Sequence, residues 1–446
     1  MSPKLDLYDL GARGVVLNES PVHKQPGDLT KAQNVYHSKE EGMGGLRKRP
    51  GLTKVNAIAA AGSITGITNL PFPDTDSDVV TLYASAARED TDWGTTLWRT
   101  STNGTTWANA TTPSAAQDIV TQQTGDWNVT VATPIASLSG KIYYPGNDYT
   151  VGTTAPTLHC WDGTTDFTVF KVPDHPSYAG TRPRAIYGMV AANGMLYFST
   201  LDRAQSGNAP NHAGRVFEYN PDNGSVQQIG TAFGPNSGEA TGGWPYAMVW
   251  WLGRLWVTTN SYSGSAGDDG TVKWIRPGID TTWTSDVTFT DLLGLSMAVF
   301  NSALYVGCRS TLTAGTGQAV IRKRTAAGTW STDDSGTANE DGHYSSLVVF
   351  SSALYAARVT VQAGGSEVIR KYDGTSWTTD QNVWTLTATD RNVGGQLVSA
   401  FSKLYYLART TLGTADAEIL QLSGGTWTLV NTTEKLRMMA VLTTPN

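Results

Sequence analysis

The sequence predicts an all-β protein, a seven-bladed β-propeller preceded by an extended N-terminal arm. Composition, an internal repeat and a fixed strand order within each copy predict it. Gly supplies 47 of the 446 residues and Trp 15, while charged residues make up only 16%. That profile suits many strands joined by Gly, Thr and Ser turns, and a 39% hydrophobic content is ample for a core.

The repeat is an apolar pair ending in an aromatic, at Tyr83, Tyr143, Tyr197, Trp256, Tyr305, Tyr355 and Tyr405. The intervals are 60, 54, 59, 49, 50 and 50 residues. In the later copies a second apolar segment precedes it across a two- or three-residue turn, as in "FNSALY", "FSSALY" and "FSKLYY", which reads as a hairpin. Two further strands follow around a Gly turn, as in "AVIRKRTAAGTW", "EVIRKYDGTSW" and "AEILQLSGGTW". They place Trp107, Phe167, Trp283, Trp330, Trp377 and Trp427 on the fourth strand; the third copy, "RVFEYNPDNGSVQQI", keeps the hairpin without the aromatic.

Four strands in about 50 residues is the signature of a propeller blade. One blade cannot bury both faces, so the aromatics are expected to fill the gaps between neighbours. The propeller is placed at 52–446 and the arm at 1–51, with eight blades as the alternative count. "LTKVNAI" (52–58) reads as an outer strand, and both "SITGITNL" (63–70) and "KLRMMAVLTT" (435–444) read as innermost strands. Closure of the ring by pairing the two termini is expected, with the terminus that supplies each strand left open.

Net charge is −6, but residues 1–54 carry nine Lys/Arg and six Asp/Glu, leaving 23 basic and 32 acidic groups on the remainder. The arm is basic and the body acidic, so the whole chain is no obvious polyanion binder. Two cysteines, Cys160 and Cys308, exclude a disulfide framework and read as buried free thiols. No apolar run is long enough to span a membrane, and the start "MSPKLDLYDLGARG" lacks the pattern of a signal peptide.

Signals for chemistry are sparse. The turns "STNGTTW" and "YDGTSW" are imperfect matches to the Asp-box of sialidase-type propellers, itself a folding element. Arg309, Arg358 and Arg409 follow the second strand of three consecutive copies and form a candidate anion or partner face. The competing reading pairs them with acids such as Asp333, Asp334 and Glu367. The six histidines show no metal-ligand spacing, the loop around Asp268 and Asp269 lacks the alternating acids of a calcium loop, and no cofactor fingerprint is present. The expectation is a chain with no cofactor, no metal and no enzymatic activity.

The arm reads "LGARGVVLNESPVHKQPGDLTKAQNVYHSKEEGMGGLRKRPGLTKV". Its order of a glycine start, "PGDLTKAQNV" and "GGLRKRPG" resembles the opening of tailed-bacteriophage virion proteins. The matching positions are Pro26, Gly27, Gln33, Asn34, Val35, Gly45, Leu46, Arg47, Arg49, Pro50 and Gly51; Asp28 stands where Glu is usual, and a Gly44–Gly45 pair is additional. An arm joined to a β-propeller resembles podophage tail nozzle proteins. The resemblance implies a structural virion component at the tail or head–tail axis, assembling through the arm. It also implies other virion proteins as partners, a homo-oligomeric ring (a hexamer), DNA only in passage and location in the virion. The three adjacent charges Arg47, Lys48 and Arg49 on an extended segment alternate in direction, so at most two share a face. They read as a docking segment for an acidic neighbour in the ring. The alternatives are a carbohydrate-binding propeller, with a host surface glycan as partner, and a sialidase-like enzyme.

Overall fold

A computed structural model describes residues 35–37, 46–48, 78–87, 96–101, 108–109, 135–146, 155–162, 165–174, 181–204, 212–233, 243–260, 269–310, 318–336, 342–360, 367–383, 395–408, 417–434 and 436–445. Among them there is no helix. The chain divides into two units, Met1–Asp78 with Pro445–Asn446, and Val79–Thr444. In the first, β1 (Val35–His37) pairs antiparallel with β2 (Leu46–Lys48), Tyr36 opposite Arg47. The boundary expected at 51–52, and the strands expected at 52–58 and 63–70, lie outside the described residues.

The second unit is a succession of antiparallel sheets of four strands each. β3 (Asp78–Ala87), β4 (Thr96–Ser101) and β5 (Ala108–Asn109) begin it, followed by β6 (Ala136–Leu138), β7 (Lys141–Gly146), β8 (Thr157–Trp161) and β9 (Asp166–Lys171). Next come β10 (Thr181–Ala192), β11 (Met195–Ala204), β12 (His212–Asn220) and β13 (Ser225–Phe233), then β14 (Trp244–Trp251), β15 (Arg254–Asn260), β16 (Gly270–Ile275) and β17 (Thr284–Phe289). After these run β18 (Leu292–Phe300), β19 (Ala303–Ser310), β20 (Val320–Arg324) and β21 (Trp330–Ser335), and β22 (Gly342–Phe350), β23 (Ala353–Thr360), β24 (Glu367–Tyr372) and β25 (Trp377–Asn382). These two sets merge into one eight-stranded sheet through a single pair, Arg309 opposite His343. The last sheet is β26 (Gln396–Ala400), β27 (Lys403–Ala408), β28 (Ala417–Ser423) and β29 (Thr426–Glu434).

The final strand, β30 (Leu436–Pro445), does not extend its neighbour but pairs with β3, giving the order β30-β3-β4-β5. The C-terminus therefore supplies the first strand of the first sheet, the assignment the sequence left open. Successive four-stranded sheets closed in this way form a β-propeller.

Turn chemistry fixes the hairpins. First and second strands meet through two residues at positive φ, among them Asn193–Gly194, Leu252–Gly253, Asn301–Ser302 and Ser351–Ser352. That geometry matches the twist of the flanking strands. The second strands then carry Leu196, Leu255, Leu304, Leu354 and Leu404 at one register, all fully buried, each contributing about 1.5–3 kcal/mol. The apolar clusters lie between sheets. One joins Tyr305, Ile321 and Tyr344 to Leu354 and Tyr372, and another joins Tyr355 and Ile369 to Leu404, Tyr406 and Trp427.

The first two strands of each sheet approach the next sheet closely, through hydroxyl groups that bond its carbonyls. Ser199 Oγ donates to Pro245 O (2.9 Å), Thr258 Oγ1 to Gly294 O (3.0 Å), Ser296 Oγ to Tyr344 O (3.0 Å) and Ser345 Oγ to Gly395 O (2.9 Å). Each sits at an irregularity in the first-to-second strand register, which turns these groups toward the neighbouring sheet. The space is so small that a Cβ on Gly188 would lie 2.1 Å from Tyr246 O. Gly188→Ala is therefore expected to cost about 1–3 kcal/mol in urea unfolding, because backbone must move to admit one methyl group. An unchanged midpoint would show that the sheets are not held at this spacing.

Candidate functional site

Antiparallel order places the two-residue turns at one end of each sheet. The second-to-third connections, 205–211, 261–269, 311–319, 361–366 and 409–416, leave from the other end. At that end the second strands finish in polar residues, and neighbours complete most of them. Asn260 Nδ2 donates to Gly294 O (3.1 Å), and its Oδ1 accepts from Gly294 N (3.0 Å). Asp202 accepts from Arg215 Nε at 2.9 Å, and Arg215 also donates to Pro173 O at 2.7 Å and lies over the Phe217 ring. Both charges are almost fully buried. Burial pushes the Asp202 carboxyl above its ordinary value, against the lowering pull of Arg215 and Thr200.

The three arginines of the expected face are not brought together as equivalents. Arg309 stands four residues after Tyr305, opposite Leu293, whereas Arg358 stands three after Tyr355, opposite Tyr344. A strand alternates with period two, so the two occupy opposite phases of their strands. Arg409 lies outside the described residues. The acids weighed as their partners bind other groups as well. Asp334 accepts from Tyr344 Oη (2.6 Å) and from Arg370 Nε and Nη2 (3.2 and 3.1 Å). Asp333 pairs with Lys323 and Trp377, and buried Glu367 accepts from the Tyr406 hydroxyl. Of the arm positions, Leu46, Arg47 and Lys48 lie in β2, while Pro26, Gly27, Gln33, Asn34, Arg49 and Pro50 lie outside the described residues.

One device escaped the sequence reading. Trp330 Nε1 donates to Asp286 (2.6 Å), Trp377 Nε1 to Asp333 (2.8 Å) and Trp427 Nε1 to Asp380 (2.7 Å). In each case the acid belongs to the fourth strand of the preceding sheet. The signal is Trp-x-x-Asp, at Trp283–Asp286, Trp330–Asp333 and Trp377–Asp380, every Asp serving the next copy's Trp. Where the third copy has Ile229 instead, Trp283 Nε1 has no partner among the described residues. These indoles each bond a carboxylate of the neighbouring sheet.

Asp373 in "YDGTSW" accepts from Thr375 Oγ1 and N and from Ser376 N (2.6, 2.7 and 2.9 Å), bonds that hold its carboxyl down at about 2. The segment is a turn-forming element. Cys160 and Cys308 are free and buried, and burial pushes the Cys308 thiol up to about 12. Asp269 accepts the Asp291 amide at 2.8 Å; Asp268 lies outside the described residues. Among the described residues no three His, Cys, Asp or Glu gather as metal ligands, and no helix is long and apolar enough to cross a membrane.

No protein-family model matches the sequence, and no curated protein matches it either. Solved structures share the fold. A protein from Bacteroides uniformis assigned as a 6-phosphogluconolactonase aligns with a TM-score of 0.50 at 12% identity, over 81% of this chain and 99% of that one. A puromycin-hydrolyzing peptidase of Mycobacterium tuberculosis gives 0.49 at 10% identity over 80% and 52% of the two chains. Trypanosoma rangeli sialidase gives 0.42 at 10% identity over 67% and 53%, so the chain spans about half the length of the sialidase it matches. Of these likenesses, the first shows the fold alone. It also corrects the expectation that the chain is not an enzyme: a solved structure described as a lactonase takes this fold, so an all-β propeller gives no ground for excluding catalysis.

Proposed function

We propose that this chain is a structural component of a tailed-bacteriophage particle, a ring-forming protein at the tail or head–tail axis of the nozzle or hub type. The observation that carries the reading is the arm motif, "PGDLTKAQNV" followed by "GGLRKRPG", ahead of a propeller. We read the propeller as seven-bladed, with β30 completing the first blade beside β3. Charge supports the same reading: residues 1–54 carry an excess of basic groups and the remainder an excess of acidic ones, so the arm of one copy suits the body of the next.

The partners are then other virion proteins and further copies in a ring, a hexamer by resemblance, located in the virion. DNA passes through the lumen of that ring. We place the passage in that lumen and not within one propeller, where β10, β14, β18 and β22 line a half-open pocket of about 110 Å³ with Met189, Met248, Met297 and Leu347. That volume holds only a few water molecules.

Electron microscopy of the purified chain and of its parent particle tests the reading. Rings of copies centred on the tail axis are expected, and joint replacement of Arg47, Lys48 and Arg49 by Glu is expected to disperse them. Isolated propellers at every concentration, with no density on the particle, would count decisively against it.

A further inference from the structure

Arg358 stands near the long-connection end of β23, and with Arg322 it is one of two described arginines whose Nε is buried without a hydrogen-bond partner; Arg322 donates through Nη1 to Thr332 Oγ1 (2.6 Å). Arg215, Arg276, Arg324 and Arg370 each hold a carboxylate, at 2.9, 2.7, 2.7 and 3.1 Å. Arg254 instead lies 3.8 Å over the Trp274 ring. The Nε of Arg358 is buried and has no hydrogen-bond partner among the described residues. A buried, unanswered guanidinium nitrogen is costly and calls for an explanation.

The repeat shows that the scaffold does not need a cation there. Three residues after the marker aromatic of each copy stand Ala86, Gly146, Thr200, Thr259, Cys308, Arg358 and Ala408. All are small except Arg358, and the register of the paired strands makes the positions equivalent. The residue opposite Cys308 is Gly294, whereas the residue opposite Arg358 is Tyr344. One junction out of several equivalent ones has thus acquired an arginine and a tyrosine. The nearby Asp334 carboxylate accepts one hydrogen bond from Tyr344 and two from Arg370. Arg358 lies close enough to the Tyr344 phenol to act on it, against the larger raising effects of burial and of Asp334.

We infer that the junction between the sheets β18–β21 and β22–β25, at the end of the long connections, is an oxoanion-binding site in which Arg358 recognises a carboxylate or phosphate group. The planar guanidinium fork suits both groups, and its pairing would satisfy the donor the fold leaves open. Arg370 and Asp334 position Tyr344 beside it.

The test is thermal unfolding of the full chain in rising sodium phosphate or sodium acetate, with chloride at matched ionic strength as reference. A saturable rise in midpoint is expected. At ten times the dissociation constant the folding equilibrium shifts about tenfold toward the folded state. Response to one salt alone identifies the group recognised. Arg358→Met is expected to abolish the response while its midpoint in chloride stays at or above that of the parent, because a buried unpaired donor is removed. The Arg358 Nε–H resonance should also move along the same saturation curve, a readout that does not depend on the variant folding. Equal responses in all three salts, an Arg358→Met chain that still responds, or an unmoved Nε–H signal would each overturn the site. None of these measurements depends on ring assembly, so the site and the virion reading fail separately.

Discussion

Arg215→Ala is expected to lower the unfolding free energy by about 3–5 kcal/mol, the usual cost of removing one partner from a buried ion pair. Arg215 is 1% exposed, and its guanidinium joins Asp202 on β11 to Pro173 and Asp174, just beyond β9. Truncation leaves the Asp202 carboxylate buried without its cation and two carbonyl groups without their donor. The deficit should depend on pH in a defined direction. Burial already raises the Asp202 carboxyl, and loss of Arg215 removes the principal opposing pull. An acid whose folded pKa exceeds its unfolded value favours folding when protonated. The deficit is therefore largest at neutral pH and narrows as the pH falls through the carboxylate range. The double replacement Asp202→Asn with Arg215→Met should recover most of the loss. Urea unfolding of the three variants across that range is the measurement. A pH-independent deficit below about 1 kcal/mol would mean that the pair is not integral to the sheet junction.

Asp286→Ala is expected to cost about 3 kcal/mol, because one carboxylate answers three donors of the following sheet. Arg324 reaches it through Nε and Nη2, both at 2.7 Å, and Trp330 through Nε1 at 2.6 Å. The Arg324 head group also lies over the Trp256 ring, 4.8 Å from its centroid, so its position bears on the inter-sheet packing. Trp330→Phe removes a single hydrogen bond and should cost about 0.5–1.5 kcal/mol beyond the change in packing. A double-mutant cycle between the two should give a coupling above about 0.5 kcal/mol. Trp283 supplies the control, since its indole has no carboxylate partner among the described residues. If Trp283→Phe costs as much as Trp330→Phe, the acid contributes nothing and the indoles act by packing alone.

Legibility differed between fold and site. Hairpins were readable because their turns are local: "NS" and "SS" between apolar segments sit at positive φ, as such short connections require. The inter-sheet role of Trp283, Trp330, Trp377 and Trp427 was readable from their period, though Phe167 in the second copy is left exposed, but their hydrogen bonds were not. Trp-x-x-Asp looks like an intra-strand spacing, yet every acid serves the copy that follows. The arginine face illustrates the opposite failure. Three arginines at similar distances from a marker aromatic suggested one cluster, although a shift of one residue reverses the phase of a strand. Arg358 and Arg309 therefore have different neighbours, and a local pattern cannot reveal which group lies across a sheet junction.

The sequence by itself determined the all-β class, the four-strand repeat and the two-residue turns, because these depend on period and on residues adjacent in the chain. Only the tertiary structure decided that β30 joins β3, that Asp286, Asp333 and Asp380 hold the next sheet's tryptophans, and that the buried Arg358 Nε has no hydrogen-bond partner among the described residues. Each of these depends on which side chains meet across about fifty residues of chain or more, a matter settled by sheet packing and ring closure rather than by local propensity.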